Sequence, residues 1–109
     1  MLIDVLDANG NQQRAVIQGQ ESLRDSSGTI NTSGSSQIAI QPNPGRSGYL
    51  LQNCGQSPMY LSDVGNAAIG AGSFVINPGE FFPPLGYGVT TNAISIMGQG
   101  GDAYTAREW

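Results

Sequence analysis

Turn signals divide residues 37–109 into short apolar segments about ten residues apart. No segment repeats apolar side chains at helical spacing over the ten or so positions that a capped helix needs. Gln37-Ile38-Ala39-Ile40-Gln41 alternates as a half-buried strand does, and Pro42-Asn43-Pro44-Gly45 then turns the chain into Tyr49-Leu50-Leu51-Gln52. After a reversal at Asn53-Cys54-Gly55, Pro58-Met59-Tyr60-Leu61-Ser62 places its proline at the first strand position, where no ladder donor is missed. A glycine- and alanine-rich loop at 65–72 leads to Ser73-Phe74-Val75-Ile76. Asn77-Pro78-Gly79 has proline and glycine where a type II turn wants them. Glu80-Phe81-Phe82 follows, then Pro83-Pro84-Leu85-Gly86-Tyr87-Gly88 as a stiff crossover. Ala93–Met97 and Asp102–Arg107 close the chain as a pair, with Gly98-Gln99-Gly100-Gly101 as their hairpin turn. Strands this short and regular predict an all-β fold, an antiparallel sandwich or barrel. Spacing does not give the strand order, jelly-roll or Ig-like; the expectation adopted is an antiparallel β-sandwich of jelly-roll-like type.

The rest of the chain is organised differently. Leu2–Leu6 and Arg14–Gln18 around Asn9-Gly10 predict an N-terminal β-hairpin. Residues 19–36 hold six Ser, three Gly and two Thr, with only Leu23 and Ile30 large and apolar. Such a stretch buries too little to offset its ordering entropy. It reads either as a mobile surface loop or as an extended arm ordered by a neighbouring subunit, anchored by Leu23 and Ile30. The expected organisation is a hairpin and arm over 1–36 and a sandwich over 37–109, within a single domain of 109 residues.

Composition narrows function by exclusion. Charged residues are 11% of the chain, against about 25% in ordinary soluble domains. The net charge is −4, with four arginines as the only cations, so neither a phosphate-neutralising nucleic-acid surface nor a polybasic membrane anchor is expected. Histidine and lysine are absent, which removes the commonest general base and the amine nucleophile. Cys54 is alone, so it forms no intrachain disulfide and no cysteine metal cage. It reads as a small, buried strand-end residue. Glu80 with Asp63 or Asp102 is the only carboxylate pairing worth naming for glycoside cleavage, and eight scattered acids make some such pairing inevitable. No catalytic, metal-binding or cofactor residues are assigned. Without a signal peptide or a long apolar run, the chain is expected to be made in the cytoplasm.

Two further residues stand out. Arg46 lies in the proline turn and either pins that turn through carbonyls or a carboxylate, or reaches an acid on a partner. Trp109 is the only tryptophan, and its large apolar ring is best explained by docking into a groove, its own or a neighbour's. Tyr60 and Tyr87 are candidates for a sugar-stacking platform. Leu23, Ile30, Arg46 and Trp109 are the candidate subunit or capsid interface residues.

The order Asn43-Pro44-Gly45-Arg46, Tyr49 to Asn53, Pro58 to Leu61, Pro78-Gly79-Glu80, Thr91 to Ser95 and Glu108-Trp109 resembles small virion proteins of tailed bacteriophages. Val5 to Gly10 and Val16 to Gln20 fit as well, so the resemblance covers most of the chain. It implies a non-enzymatic virion structural protein of the head decoration or cement type. Such a protein would form a homo-oligomer, most simply a trimer, and bridge neighbouring copies of the major capsid protein. The alternative is a tail- or fibre-associated module that binds host-surface glycan.

Overall fold

The computed structural model describes residues 23–109 in full and, before them, the paired backbone of Ile3–Asp4 and Arg14–Ala15. These two segments, β1 (Ile3–Asp4) and β2 (Arg14–Ala15), pair antiparallel with Ile3 opposite Ala15 and Asp4 opposite Arg14. The expected Asn9-Gly10 turn lies outside the described residues.

From residue 23 onward two antiparallel sheets pack as a sandwich. The first contains β5 (Gln37–Ile40), β10 (Ile94–Met97), β7 (Met59–Ser62) and β8 (Phe74–Ile76), in that spatial order. The second runs β3 (Arg24–Asp25), β11 (Ala103–Glu108), β6 (Tyr49–Asn53) and β9 (Phe81–Phe82). β4 (Gly28–Thr29) also pairs with β11, beside β3. From β4 onward, β7 and β8 are the only consecutive strands that share a sheet. The jelly-roll-like expectation therefore goes no further than the sandwich itself.

Alternation explains why these residues form these strands. In β6, Tyr49, Leu51 and Asn53 point inward while Leu50 faces out. In β11, Tyr104, Ala106 and Glu108 point inward. Across the gap, Met59, Leu61, Ile76, Ile94 and Ile96 complete the core with Ile30, Ile40 and Phe82. Full burial of such a side chain stabilises the fold by about 1.5–3 kcal/mol. β10 is buried along its whole length, including Ser95. Ser95 is covered by the 63–67 loop: its hydroxyl donates to the Gly65 carbonyl at 2.8 Å and accepts from Ala67 N at 2.6 Å.

Two expectations are corrected by the sheet order. β10 and β11 do not form a hairpin, because they belong to opposite sheets. The glycine run between them pairs instead with the segment that follows β4. Gly101 N donates to the Ile30 carbonyl at 2.8 Å, Gly34 N to that of Gly98 at 3.1 Å, and Ile30 N to that of Asp102 at 2.9 Å. Gly101 has φ of 91°, which suits glycine at this crossover.

The second correction concerns 19–36. Its described part, from Leu23 on, is neither a loose loop nor an arm awaiting a neighbour, since β3 and β4 add to the edge of the sheet at β11. Gln37 fixes this flank. Its side chain accepts from Asn31 N at 2.8 Å and donates to the Thr29 carbonyl at 3.0 Å, tying β5 to β4. The sandwich thus begins before residue 37. Low apolar content misled because a single well-placed residue, Ile30, is driven into the core at 1% exposure.

Elsewhere the turns are as the sequence implies. Gly79 has φ of 86° and Glu80 N donates to the Asn77 carbonyl at 2.9 Å, the geometry of a type II turn with Pro78 first. Asn53 binds this turn to the core. Its side-chain amide donates to the carbonyls of Ser57 and Ile76, both at 2.8 Å, and its side-chain oxygen accepts from Gly55 N at 2.8 Å.

Candidate functional site

Arg46 is the centre of one corner of the sandwich. Its side chain has no exposed surface. Nε donates to Glu108 Oε1 at 3.0 Å, Nη1 to the carbonyls of Thr90 at 2.7 Å and Asn92 at 2.8 Å, and Nη2 to that of Gln41 at 2.6 Å. The guanidinium thereby joins the end of β5, the approach to β10 and the end of β11. Its flat face lies 5.6 Å from the centre of the Tyr49 ring. Asn43 Nδ2 adds a bond to Glu108 Oε1 at 3.2 Å, and Arg24 Nε lies 3.7 Å from Glu108 Oε2. Burial disfavours the Glu108 carboxylate, but the bonds from Arg46 and Asn43 and the charges of Arg46 and Arg24 outweigh it. The net effect holds its pKa below the ordinary glutamate value.

The four residues expected at an interface are therefore not brought together as one surface. Arg46 is an internal pin and Ile30 a core residue, so neither offers a face to a partner. Leu23 is half exposed just before β3. Trp109 docks on its own chain: its N donates to the Gly48 carbonyl at 3.0 Å, and its carbonyl accepts from Ser47 N and Gly48 N. The indole lies so close to Gly48 that a Cβ there would fall 2.6 Å from the ring. About a third of Trp109 stays exposed. Cys54, expected to be buried, is exposed, with its sulfur 3.4 Å from Thr105 Oγ1.

The surface that does emerge lies at the opposite flank from Gln37, where β8 and β9 are the edges of the two sheets. Here the gap between the sheets is closed by ring packing. Phe74 lies 4.7 Å from Phe82, and Tyr87 meets both edge-on, at 5.8 Å from Phe74 and 5.2 Å from Phe82. Tyr87 donates its hydroxyl to Asp63 Oδ2 at 2.7 Å, which raises the Tyr87 pKa. Phe82 is buried, but Phe74 and Tyr87 are substantially exposed. Val75, opposite Tyr60 on the outer face of one sheet, is 55% exposed, Phe81, opposite Gln52 on the outer face of the other, is 57% exposed, and Leu85, on the 83–88 turn, is wholly exposed. Tyr49 lies behind the rim, 6.5 Å from Phe82, with its hydroxyl buried and unpartnered among the described residues. Burial, then the nearby Asp63 and Tyr87, push its ionisation far above the ordinary tyrosine range.

The rim also carries few charges: besides the buried Asp63 carboxylate on Tyr87, it adjoins a long run with almost none. Residues 64–101 contain one charged side chain, Glu80. Its carboxylate accepts from Asn77 N at 2.9 Å, within the type II turn. This run with a single charge is the sequence signal that marks the rim. It is visible without a structure, but only the sheet order shows that β8 and β9 are edges of the same flank, closed between the sheets by Phe74, Phe82 and Tyr87.

The arrangement offers apolar contact and little chemistry. Asp63 is engaged by Tyr87, Asp102 Oδ2 accepts from Ser57 N at 3.2 Å, and Glu80 closes its turn, so each candidate carboxylate holds backbone or a hydroxyl. No cluster of metal-ligating side chains occurs among the described residues. Of the two tyrosines named as stacking candidates, Tyr87 packs edge-on against Phe74 and Phe82 and stays partly exposed. Comparison with protein-family models, curated proteins and solved structures finds no match for this chain.

Proposed function

We propose that this protein is a non-enzymatic structural subunit that works by adhesion, as a decoration or cement protein on a tailed-phage head. In this reading it self-associates and bridges neighbouring copies of the major capsid protein. The observation that carries the reading is the exposed apolar side chains along β8, β9 and the 83–88 turn, a stretch in which Glu80 is the one charged residue. Soluble domains rarely leave contiguous large apolar side chains in water unless something covers them. An uncharged contact desolvates no ions when it forms, so repeated weak contacts on a symmetric shell add up without that penalty. The lack of histidine and lysine agrees with a role that needs no proton transfer.

The glycan-binding alternative has less support. The Tyr87 hydroxyl, the polar end of the exposed ring, is already engaged by the Asp63 carboxylate. Copy number separates the two readings. Densitometry of purified particles against the major capsid protein is expected to show on the order of hundreds of copies per particle, as avidity over a shell requires. A count in the range of a tail appendage, a few to tens of copies, overturns the cement reading.

A further inference from the structure

We infer that residues 64–72, which connect β7 to β8, form a strap that lifts as a unit from the outer face of the first sheet while the sandwich stays folded, with the Ser95 hydroxyl as its latch. This conformational device belongs to the fold itself and does not rest on the assembly reading above.

The strap is bonded differently from the glycine run at 98–101, which backbone carbonyls and amides tie to the segment after β4. No amide of 64–72 donates to a carbonyl of either sheet among the described residues. Three donate to serine hydroxyls instead. Val64 N reaches Ser62 at 3.3 Å, Ala67 N reaches Ser95 at 2.6 Å and Ser36 at 3.2 Å, and Ala68 N reaches Ser73 at 3.0 Å. Of these hydroxyls that of Ser95 also donates back, to the Gly65 carbonyl at 2.8 Å, so it grips the strap twice. The serines span the sheet. Ser95 and Ser62 are opposed partners in β10 and β7, and Ser36 and Ser73 stand immediately before β5 and β8.

Packing adds little to these bonds. Of residues 64–72 only Ala67 is buried, while Val64 and Ile69 are 80% and 72% exposed. A Cβ added at Gly65, Gly70 or Gly72 would meet nothing within 4 Å. A cleft of about 300 Å³ is lined by Val64 and Asn66 of the strap with Ile38 and Asn92, and another of about 200 Å³ by Ile69 with Tyr60 and Met97. Lifting the strap returns serine hydroxyls and an alanine methyl to water, which replaces the lost bonds, whereas unfolding exposes the whole apolar core. Gly70 and Gly72, at φ of 109° and 98°, regain the most backbone freedom in the open state. A segment with one buried side chain and no ladder bonds therefore opens well before the sheets do.

Amide exchange followed residue by residue by NMR, in a series of urea concentrations below the unfolding transition, tests this. In the wild-type chain Val64, Ala67 and Ala68 should exchange at least ~100-fold faster than the ladder amides of β10 and β6. Their rates should hardly depend on urea, because opening exposes little surface. They should still be slower than in a free peptide of the same sequence, since the strap is latched. Ser95→Ala removes both bonds of the latch and should speed exchange at Ala67 by a further ~10-fold. Ser33→Ala, which removes a hydroxyl bond to Gly100 N away from the strap, should leave it unchanged. Strap amides that share the rate and urea slope of β10 overturn the inference, as do strap amides as fast as the free peptide. So does a folded Ser95→Ala variant with unchanged exchange at Ala67; should that variant not fold, the wild-type urea series decides alone.

Discussion

At the Arg46 corner, one guanidinium gathers three carbonyls and a carboxylate from three segments that are distant in sequence. At the rim, which Tyr49 connects to that corner, the two sheets meet through aromatic edges with almost no hydrogen bonding. The corner is directional and closed, since each of the guanidinium nitrogens is held by acceptors in fixed positions. The rim is non-directional and partly open, so it tolerates change and can accept another surface. In this account the corner holds the subunit together and the rim joins subunits to one another.

Substitutions that separate folding from assembly test this division. The largest expected effect is at the corner: Arg46→Met strands the buried Glu108 carboxylate and three carbonyls. A loss of about 3–5 kcal/mol in urea unfolding is expected, the usual result of removing one partner of a buried pair. A loss below 1 kcal/mol would mean that the corner does not hold the fold.

Acid should act through the same corner. Because the folded-state pKa of Glu108 is depressed, its contribution is fully present above the ordinary glutamate value and is lost as pH falls through the folded value. Asp25 is also lowered, first by its bond from the Ser27 hydroxyl, and works in the same direction at an exposed site. The wild-type Tm should therefore fall between about pH 5 and pH 3. In Arg46→Met the fall should be shallower, because burial of Glu108 is then no longer outweighed. Equal slopes in thermal melts of the two proteins would contradict this.

A smaller effect is expected where the chain end docks. Gly48→Ala puts a methyl group into the space of the Trp109 ring, and the indole, already partly exposed, can swing outward. A loss of about 1 kcal/mol is expected, with a red shift of tryptophan fluorescence, since no other tryptophan is present. An unshifted spectrum would place the strain elsewhere.

The smallest effect on stability belongs to the rim. Phe81→Ser should change unfolding free energy by only ~0.5 kcal/mol, as exposed substitutions do, while weakening self-association. A large loss of stability with unchanged association would reverse the roles assigned to the two regions.

Much of the strand content was legible in the sequence, because period-two alternation in segments such as Tyr49–Asn53 is a local property of the chain. Partnering was not. β10 and β11 read as a hairpin because a glycine run separates them, yet whether that run pairs its flanking strands or crosses between sheets depends on Ile30 and Gly34, which lie far away in sequence. The Ser- and Gly-rich stretch was undervalued for a related reason. Its composition describes the average residue, whereas Ile30 and the bonds of Gln37 act one at a time. Arg46 was legible as a turn pin, but its acceptors at Gln41, Thr90, Asn92 and Glu108 become visible only once the sheets are assembled. The rim lay hidden in the same way, because Phe74 and Phe81 read as residues of separate strands and Leu85 and Tyr87 as part of a crossover.

The most direct test compares the two regions in the unmodified protein. Hydrogen exchange is followed by mass spectrometry at low and high protein concentration, with peptides covering 74–76 and 81–82 set against peptides covering 105–108. Protection at β8 and β9 is predicted to rise with concentration while protection at β11 stays constant. Concentration-independent exchange at β8 and β9 would contradict the account.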